Sequence, residues 1–201
     1  MESTPIRDAL RLFRQHGGVL RAKQALDLGA HPRTLYELRD RQLVEPLSRG
    51  VYRLSSLPPL SQPDLAAVAL RVPRAVVCLI SALSYHDITT EVPHEVQIAL
   101  PRGTKTPVLE HPPLRVFRFS GQALTEGIQE VTVDRIPLRV YGPEKTVADC
   151  FRFRKKLGLD VAIEALDLCV KRKGARPADL LHYARICRVE RVMLPYIEGR
   201  R

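Results

Sequence analysis

The chain has 201 residues and a formal net charge of +10 at pH 7, and 45% of its residues are hydrophobic. This much apolar material builds the cores of two modest domains and excludes disorder over most of the length. The basic excess favours anionic partners, of which nucleic acid fits best, although an acidic protein also satisfies the charge.

The positive charge lies at the two ends of the chain. Residues 1–57 carry 10 Lys/Arg against 6 Asp/Glu, a net +4, and residues 145–201 carry 14 against 7, a net +7. Residues 58–144 have 8 basic and 9 acidic side chains and are nearly neutral. The two ends are therefore the regions in which an anion-binding surface is expected.

Three helices and a hairpin are predicted in residues 1–57. The first helix starts near Thr4-Pro5 and ends at Gly17-Gly18, with one apolar stripe of Ile6, Ala9, Leu10 and Phe13. A second helix covers residues 21–28, and a third runs from His31 to Gln42. Strands at 43–46 and 51–54 flank a Gly-containing turn, which completes the order typical of a winged helix-turn-helix.

The third helix is the predicted recognition helix, and the hairpin is the predicted wing. Base contacts in the major groove are predicted for Arg33, Thr34, Tyr36 and Glu37, whose side chains are expected to be free. Phosphate contacts are predicted for Arg21, Lys23, Arg41 and Arg49. The alternative is a small three-helix domain with an ordinary charged surface, because exposed arginines are common on any helix.

A linker rich in Ser and Pro, residues 55–63, predicts a domain boundary between 57 and 58. In the second domain, residues 58–201, strands are predicted at 76–80, 96–100, 114–119, 128–133 and 136–141, with a short helix at 81–86. The last two strands are predicted to pair as a hairpin through a turn at Asp134-Arg135. Helices follow from Pro143 to a stop at Gly158, then at 161–171, 177–187 and 189–197. Residues 58–143 are thus mainly strands and residues 144–201 are helical and basic, an α+β arrangement.

The sequence favours a cytoplasmic protein. Its longest apolar stretch, residues 65–85, is interrupted by Arg71, Pro73 and Arg74, and the first 20 residues lack the apolar core of a signal peptide. The four cysteines are widely spaced in apolar runs, which indicates buried thiols in a reducing compartment. No contact with a membrane is expected.

No enzyme, cofactor or metal site is predicted. No glycine-rich phosphate loop or nucleophile elbow is present, and His86 and His94 lack the partners of a tetrahedral metal site. A nuclease is the remaining enzymatic alternative, but the strand after Glu95 lacks the required Lys. Glu144-Lys145 with Asp149 is the other cluster that could support such chemistry.

Several short motifs, in this order, resemble those of AbiEi-type antitoxins and related regulators. They are residues 35–39 (LYELR), 43–45 (LVE), 49–54 (RGVYRL), 81–86 (SALSYH), 96–101 (VQIALP) and 141–149 (YGPEKTVAD). The resemblance spans most of the chain and implies a bacterial type IV toxin-antitoxin system concerned with abortive infection and phage resistance. It implies a winged helix that binds inverted repeats in double-stranded DNA upstream of its own operon and represses transcription.

The same resemblance implies a C-terminal domain that counteracts a nucleotidyltransferase toxin without a stable complex. In the family a positively charged face of this domain is linked to antitoxin activity. The candidates here are Arg152, Arg154, Lys155, Lys156, Lys171, Arg172, Lys173, Arg185, Arg188 and Arg191. Many of them also lie near predicted helix C-termini, where cations simply offset the helix dipole. A winged-helix regulator without antitoxin activity is therefore the alternative.

Overall fold

The computed structural model describes residues 3–199, which group into two units by their internal contacts. Unit 1 is formed from Met1–Arg71 together with Thr132–Pro137, and unit 2 from Val72–Val131 together with Leu138–Arg201. The protein is a mixed α+β structure, as predicted.

Unit 1 contains four helices and a small antiparallel sheet. The helices are α1 (Thr4–Gln15), α2 (Ala22–Asp27), α3 (Pro32–Asp40) and α4 (Pro63–Arg71). The strands are β1 (Val19–Arg21), β2 (Val44–Ser48) and β3 (Val51–Leu54), arranged in the order β1-β3-β2. β1 was not predicted, because a strand of three residues is too short for an alternating pattern to be recognised.

The apolar core of unit 1 is built on the predicted stripe of α1. Ile6, Ala9, Leu10 and Phe13 are all buried, which confirms that prediction, and they pack with Leu38 of α3 and other members of one cluster. The start of α1 differs slightly from the prediction, since Ser3 is its N-cap and Thr4 its first helical residue. The hairpin between β2 and β3 closes through Gly50, whose φ of +72° is a conformation that favours glycine.

Unit 2 is built around a five-stranded sheet in the order β6-β5-β4-β8-β7. Its strands are β4 (Val76–Val77), β5 (Val96–Pro101), β6 (Leu114–Phe119), β7 (Ile128–Val133) and β8 (Ile136–Tyr141), although the β7–β8 tip groups with unit 1. β5 and β6 run parallel, whereas β4 is antiparallel to β5 and parallel to β8. β6, β7 and β8 have the predicted bounds, and Asp134 and Arg135 form the predicted turn with φ values of 50° and 68°.

Seven helices are described in unit 2. They are α5 (Leu79–Tyr85), α6 (Gln122–Thr125), α7 (Pro143–Arg152), α8 (Arg154–Leu157), α9 (Leu159–Lys173), α10 (Pro177–Ile186) and α11 (Glu190–Glu198). α5 and α6 interrupt the strands, so the predicted order of strands first and helices last holds only in part. The predicted strand at 76–80 is wrong beyond Val77, because a short apolar run fits a buried helix as well as a buried strand.

Helix α7 lies at the centre of unit 2. It packs against α5, α9 and α10, and every residue from 145 to 151 is buried. Burial on all sides requires each polar group on this helix to have a partner within the protein. The cluster around it contains the four free cysteines, all of them buried as predicted.

Candidate nucleic-acid interface

Helix α3 presents a polar face to solvent. Its N-cap is His31, whose Nδ1 accepts a hydrogen bond from the Arg33 backbone N–H at 3.2 Å. Arg33 and Tyr36 are exposed, while Leu35 and Leu38 are buried in the core of unit 1. Two of the four predicted base-contacting residues therefore lie on the exposed face of this helix.

Thr34 does not have the free side chain that was expected. It is only 7% exposed, because its place in the helix is four residues before Leu38 and both fall on the buried side. The expectation of a free side chain at Thr34 is therefore corrected.

The remaining charged residues of α3 are engaged with one another. Arg41 Nη2 lies 2.6 Å from Glu37 Oε1, an ion pair one helical turn apart. Arg39, which sequence reasoning did not select, pairs with Asp40 at 2.8 Å, and its guanidinium carbon lies 5.3 Å from the Tyr36 ring centre. The proximity of Arg39 to Tyr36 follows from helical spacing of three residues and could have been recognised from the sequence.

A second group of cations gathers at the hairpin tip. The Ala22 N–H donates to Gly50 O at 2.8 Å, which places the start of α2 beside the tip that carries Arg49. Arg21, Lys23 and Arg49 are all exposed, and Arg21 also donates to Leu70 O. Arg71 joins this group by donating to Arg49 O at 3.4 Å. Arg71 was missed because it follows the predicted linker and lies 22 residues away in sequence.

Arg53, within the RGVYRL motif, is buried instead of facing solvent. Its Nη1 donates to Glu45 Oε1 at 2.6 Å, and its Nη2 donates to Pro58 O. Through these two bonds Arg53 links Pro58, which follows β3, to Glu45 of the neighbouring strand β2. Its role is therefore structural.

The cations of the predicted antitoxin face fall into separate groups in unit 2. Lys155 and Lys156 are exposed on α8, and Arg154 donates to Phe151 O at 2.8 Å. Lys171, Arg172 and Lys173 form the last turn of α9, where Arg172 pairs with Asp87 at 3.0 Å. Arg191 is exposed on α11. The ten residues are thus not gathered into a single cluster.

Three members of that set do converge on one cavity. The cavity has a volume of about 550 Å³ and is wholly within unit 2. Its lining residues are Arg102, Ser120, Gly121, Gln122, Ala123, Arg152, Arg185, Ile186 and Arg188. Arg102 was missed by sequence reasoning because it lies in the nearly neutral middle of the chain, 50 residues before Arg152.

The Glu144-Lys145-Asp149 cluster has a structural explanation. Lys145 and Asp149 are fully buried, with Nζ 2.5 Å from Oδ2, and the Cys187 thiol donates to Asp149 Oδ1 at 3.2 Å. Burial raises the pKa of Asp149, and the Lys145 charge opposes that shift. The ammonium also lies 4.0 Å from the Tyr141 ring centre. A pair enclosed in this way does not face any substrate.

His86 is likewise a structural residue. It is buried, and its Nε2 donates to Tyr141 O at 2.7 Å. Burial lowers the pKa of His86.

Over residues 3–199, no three His, Cys, Asp or Glu side chains are grouped so as to hold a metal ion. Within the same residues, no helix is both long and apolar enough to cross a membrane.

Comparisons with known proteins gave a family match for residues 7–55 and a similar fold for most of the chain. A search among curated proteins gave no match. Among solved structures, the chain is similar to the RV2827C protein from Mycobacterium tuberculosis, with a TM-score of 0.59 and 17% sequence identity over 93% of this chain and 77% of that one. At this identity the likeness concerns the fold. Residues 7–55 match the model of a family described as a transcriptional regulator, AbiEi antitoxin, and the predicted resemblance to AbiEi-type antitoxins is thereby confirmed for this segment.

Proposed function

We propose that the chain is a DNA-binding transcriptional autorepressor and the antitoxin of a type IV toxin-antitoxin system. In this proposal unit 1 is a winged helix-turn-helix in which α3 is the recognition helix and the β2–β3 hairpin is the wing. The observation that carries the proposal is the order of α1, α2, α3 and hairpin over residues 4–54, nearly all of which lie in the segment 7–55 that matches the AbiEi regulator family.

Two groups of residues on the surface of unit 1 are proposed to contact different parts of the DNA, the bases and the phosphates. Arg33 and Tyr36 on the exposed face of α3 are proposed to contact base edges in the major groove, with Glu37 beside them. Arg21, Lys23, Arg41 and Arg49 are proposed to contact phosphates, and Arg71 is added to them because of its bond to Arg49 O. Glu37 is the weakest of these candidates, because its carboxylate is already paired with Arg41.

The proposed DNA target is inverted repeats upstream of the chain's own operon. Fluorescence anisotropy with duplexes from that region tests this directly. We expect Arg33→Ala to cost about 1–3 kcal/mol on the specific duplex if Arg33 makes a bidentate base contact. We expect Arg49→Ala to weaken binding to all duplexes alike and to reduce the slope of log K against log salt by about one.

A matched control is available on α1. Arg14 is exposed and lies on neither α3 nor the hairpin, and replacing it by Ala removes the same single charge. We expect Arg14→Ala to leave the specific affinity nearly unchanged. If all three variants bind equally well, α3 and the hairpin tip do not form the interface and the proposal for unit 1 fails.

For unit 2 we propose the antitoxin role, against a nucleotidyltransferase toxin and without a stable complex. The net charge of +7 in residues 145–201 and the exposed Lys155, Lys156 and Lys171 support a basic face. The experiment is growth of cells that express the gene adjacent to that of this chain, with and without the Arg33→Ala/Arg49→Ala variant. Rescue by this variant separates antitoxin activity from DNA binding. If the neighbouring gene product is harmless, or toxic but never rescued, a transcriptional regulator without antitoxin activity is left.

A further inference from the structure

We infer that the arginine-lined cavity of unit 2 binds the adjacent phosphate groups of a small polyphosphate ligand, such as the triphosphate of a nucleotide. The inference stands on the cavity alone and requires neither the proposed DNA binding nor the proposed antitoxin activity. The cavity of about 550 Å³ lies within the size range of small-molecule sites.

The first argument is that four arginines from distant parts of the sequence line the same cavity. Arg102 follows β5, Arg152 ends α7, and Arg185 and Arg188 lie in and just after the last turn of α10. Guanidinium groups match phosphate oxygens because each presents several N–H donors in a planar fork. Four such groups around one volume form a site for several linked phosphates.

The second argument is that this positive charge is largely uncompensated. The nine lining residues include no carboxylate. In the part of the chain that the structure describes, the Arg102 and Arg188 side chains have no ion-pair partner. Arg185 is paired with Glu190 at 2.8 Å, and this carboxylate lines an adjoining, smaller cavity that shares Arg185 and Arg188, so Arg185 is the one arginine of the four with an ion-pair partner among the described residues. A concave cluster of cations with little opposing charge favours an anion.

The third argument is the place of the cavity in the fold. β5 and β6 are parallel, with Pro101 opposite Phe119, so Arg102 and Ser120 emerge side by side at the carboxyl ends of the two strands. The carboxyl edge of parallel strands is the usual position of ligand sites in sheets with helices against them. Arg118 donates to Pro101 O at 3.2 Å and to Thr106 Oγ1 at 2.7 Å, which fixes the segment that carries Arg102.

The fourth argument is that one guanidinium is already held in place. The Arg152 guanidinium carbon lies 5.7 Å from the ring centres of both Phe119 and Phe153. Stacking on two rings restricts this side chain before any ligand arrives, which reduces the entropy lost on binding. Gly121 leaves open space in the lining, since a Cβ at this position would meet nothing within 4 Å.

The lining also indicates which part of a nucleotide is recognised. None of the nine lining residues is aromatic, so the cavity has no ring on which a base could stack. A duplex is a poor fit because its phosphates lie along a convex surface, whereas these four arginines line one concave, partly open cavity. We therefore expect the phosphates to provide the affinity and the base to contribute little.

Isothermal titration calorimetry of the full chain with inorganic triphosphate, ATP, GTP and AMP tests the inference. Triphosphate, ATP and GTP should bind with dissociation constants within about threefold of one another, and AMP should bind at least about tenfold more weakly. The test variant is Arg102→Ala/Arg188→Asn, with Asn chosen because Arg188 has a φ of 59° and Asn tolerates that conformation. It should lose at least about tenfold in affinity for triphosphate.

The matched control is Arg7→Ala/Arg14→Ala, which removes the same two charges from exposed positions of α1, outside the cavity. Its affinity for triphosphate should stay within about twofold of the unaltered chain. Unchanged thermal midpoints establish that both double variants are folded. Equal losses in test and control variants, a base preference above about tenfold, or no heat of binding overturns the inference.

Competition separates this site from nucleic-acid binding. Duplex DNA that displaces triphosphate from the unaltered chain, and that itself binds at least about tenfold more weakly to Arg102→Ala/Arg188→Asn, assigns the cavity to a nucleic-acid path and overturns the small-ligand inference. Failure of the unaltered chain to bind its upstream DNA tests unit 1 instead. The two proposals therefore fail in different measurements.

Discussion

The two units use the same kind of side chain in different geometries. In unit 1 the cations of α3 and of the hairpin tip are exposed on the outside of a small apolar core, as at Arg33 and Arg49. In unit 2 arginines line a concave cavity, and a lysine and an aspartate are paired inside the core. Net charge alone does not reveal this difference, because both ends of the sequence are basic, with +4 for residues 1–57 and +7 for residues 145–201.

The difference in geometry indicates a difference in ligand. An exposed array of cations follows the repeating phosphates of a nucleic-acid backbone and makes affinity strongly dependent on salt. A concave cluster instead surrounds one compact anion and excludes larger ones by its shape. The comparison therefore predicts that perturbing one unit leaves the ligand binding of the other intact.

The largest expected effect is on the stability of unit 2, from Lys145→Met. The substitution leaves Asp149 buried without its cation, and breaking such a pair costs about 3–5 kcal/mol in the free energy of unfolding. Protonating a carboxyl group with an ordinary pKa of 3.8 at pH 7 costs a similar amount, about 4 kcal/mol. The measurement is urea unfolding followed by reaction of the thiols with a colorimetric disulfide reagent.

Thiol reactivity reports on unit 2 because Cys78, Cys150, Cys169 and Cys187 all lie in that unit and are buried. Burial also raises their pKa values, that of Cys169 to about 12, so little reactive thiolate forms before unfolding. The control is Lys145→Met/Asp149→Leu, which removes both charges and should recover most of the lost stability. A loss below about 1 kcal/mol for Lys145→Met alone would show that the pair contributes little.

The second effect is confined to unit 1. Arg53→Met removes the buried bonds to Glu45 and Pro58 and should lower the free energy of unfolding by about 1.5–3 kcal/mol. Glu45→Gln should cost less than about 1 kcal/mol, because the Glu45 side chain is 49% exposed and its interaction is screened by solvent. Urea unfolding by circular dichroism measures both variants, with thiol reaction in parallel. If Arg53→Met shifts the two readouts equally, the units unfold together and the comparison between them breaks down.

Local patterns in the sequence were sufficient for much of the fold. The apolar stripe of α1 and the bounds of β6, β7 and β8 were predicted because periodicity and turn residues act over a few positions. The turn at Asp134-Arg135 followed from the same short-range rules. Four-residue helices such as α6 and α8 have too few positions for a period of 3.6 to be detected.

Contacts distant in sequence could not be predicted in this way. Nothing local to Arg102 indicates that it shares a cavity with Arg152 and Arg188, because that proximity depends on the parallel pairing of β5 and β6 and on helix packing. α7 shows the same limit. A helix from Pro143 was predicted, yet the burial of its charged residues Lys145 and Asp149 was not. Amphipathic patterns give the minimum buried face of a helix, whereas tertiary packing decides how much more is covered.

The smallest expected effect is a dependence of unit 2 stability on pH that originates at His86. Burial lowers the pKa of His86 in the folded state, with the Lys173 charge acting in the same direction and the hydrogen bond to Tyr141 O opposing it. Below the ordinary histidine pKa of 6.5 the unfolded chain therefore binds more protons than the folded chain, so stability is lost as the pH falls through that value. One proton limits the slope to about 1.4 kcal/mol per pH unit.

Urea unfolding of His86→Gln between pH 7.5 and about pH 5 isolates this contribution, since groups such as Asp149 titrate in both proteins and cancel in the difference. Gln can still donate a hydrogen bond to Tyr141 O but does not take up a proton. We expect its stability to fall less steeply with decreasing pH than that of the unaltered chain. His94→Gln, the same substitution at an exposed position, is the matched control. Parallel slopes for His86→Gln and the unaltered chain would mean that the acid sensitivity does not originate at His86.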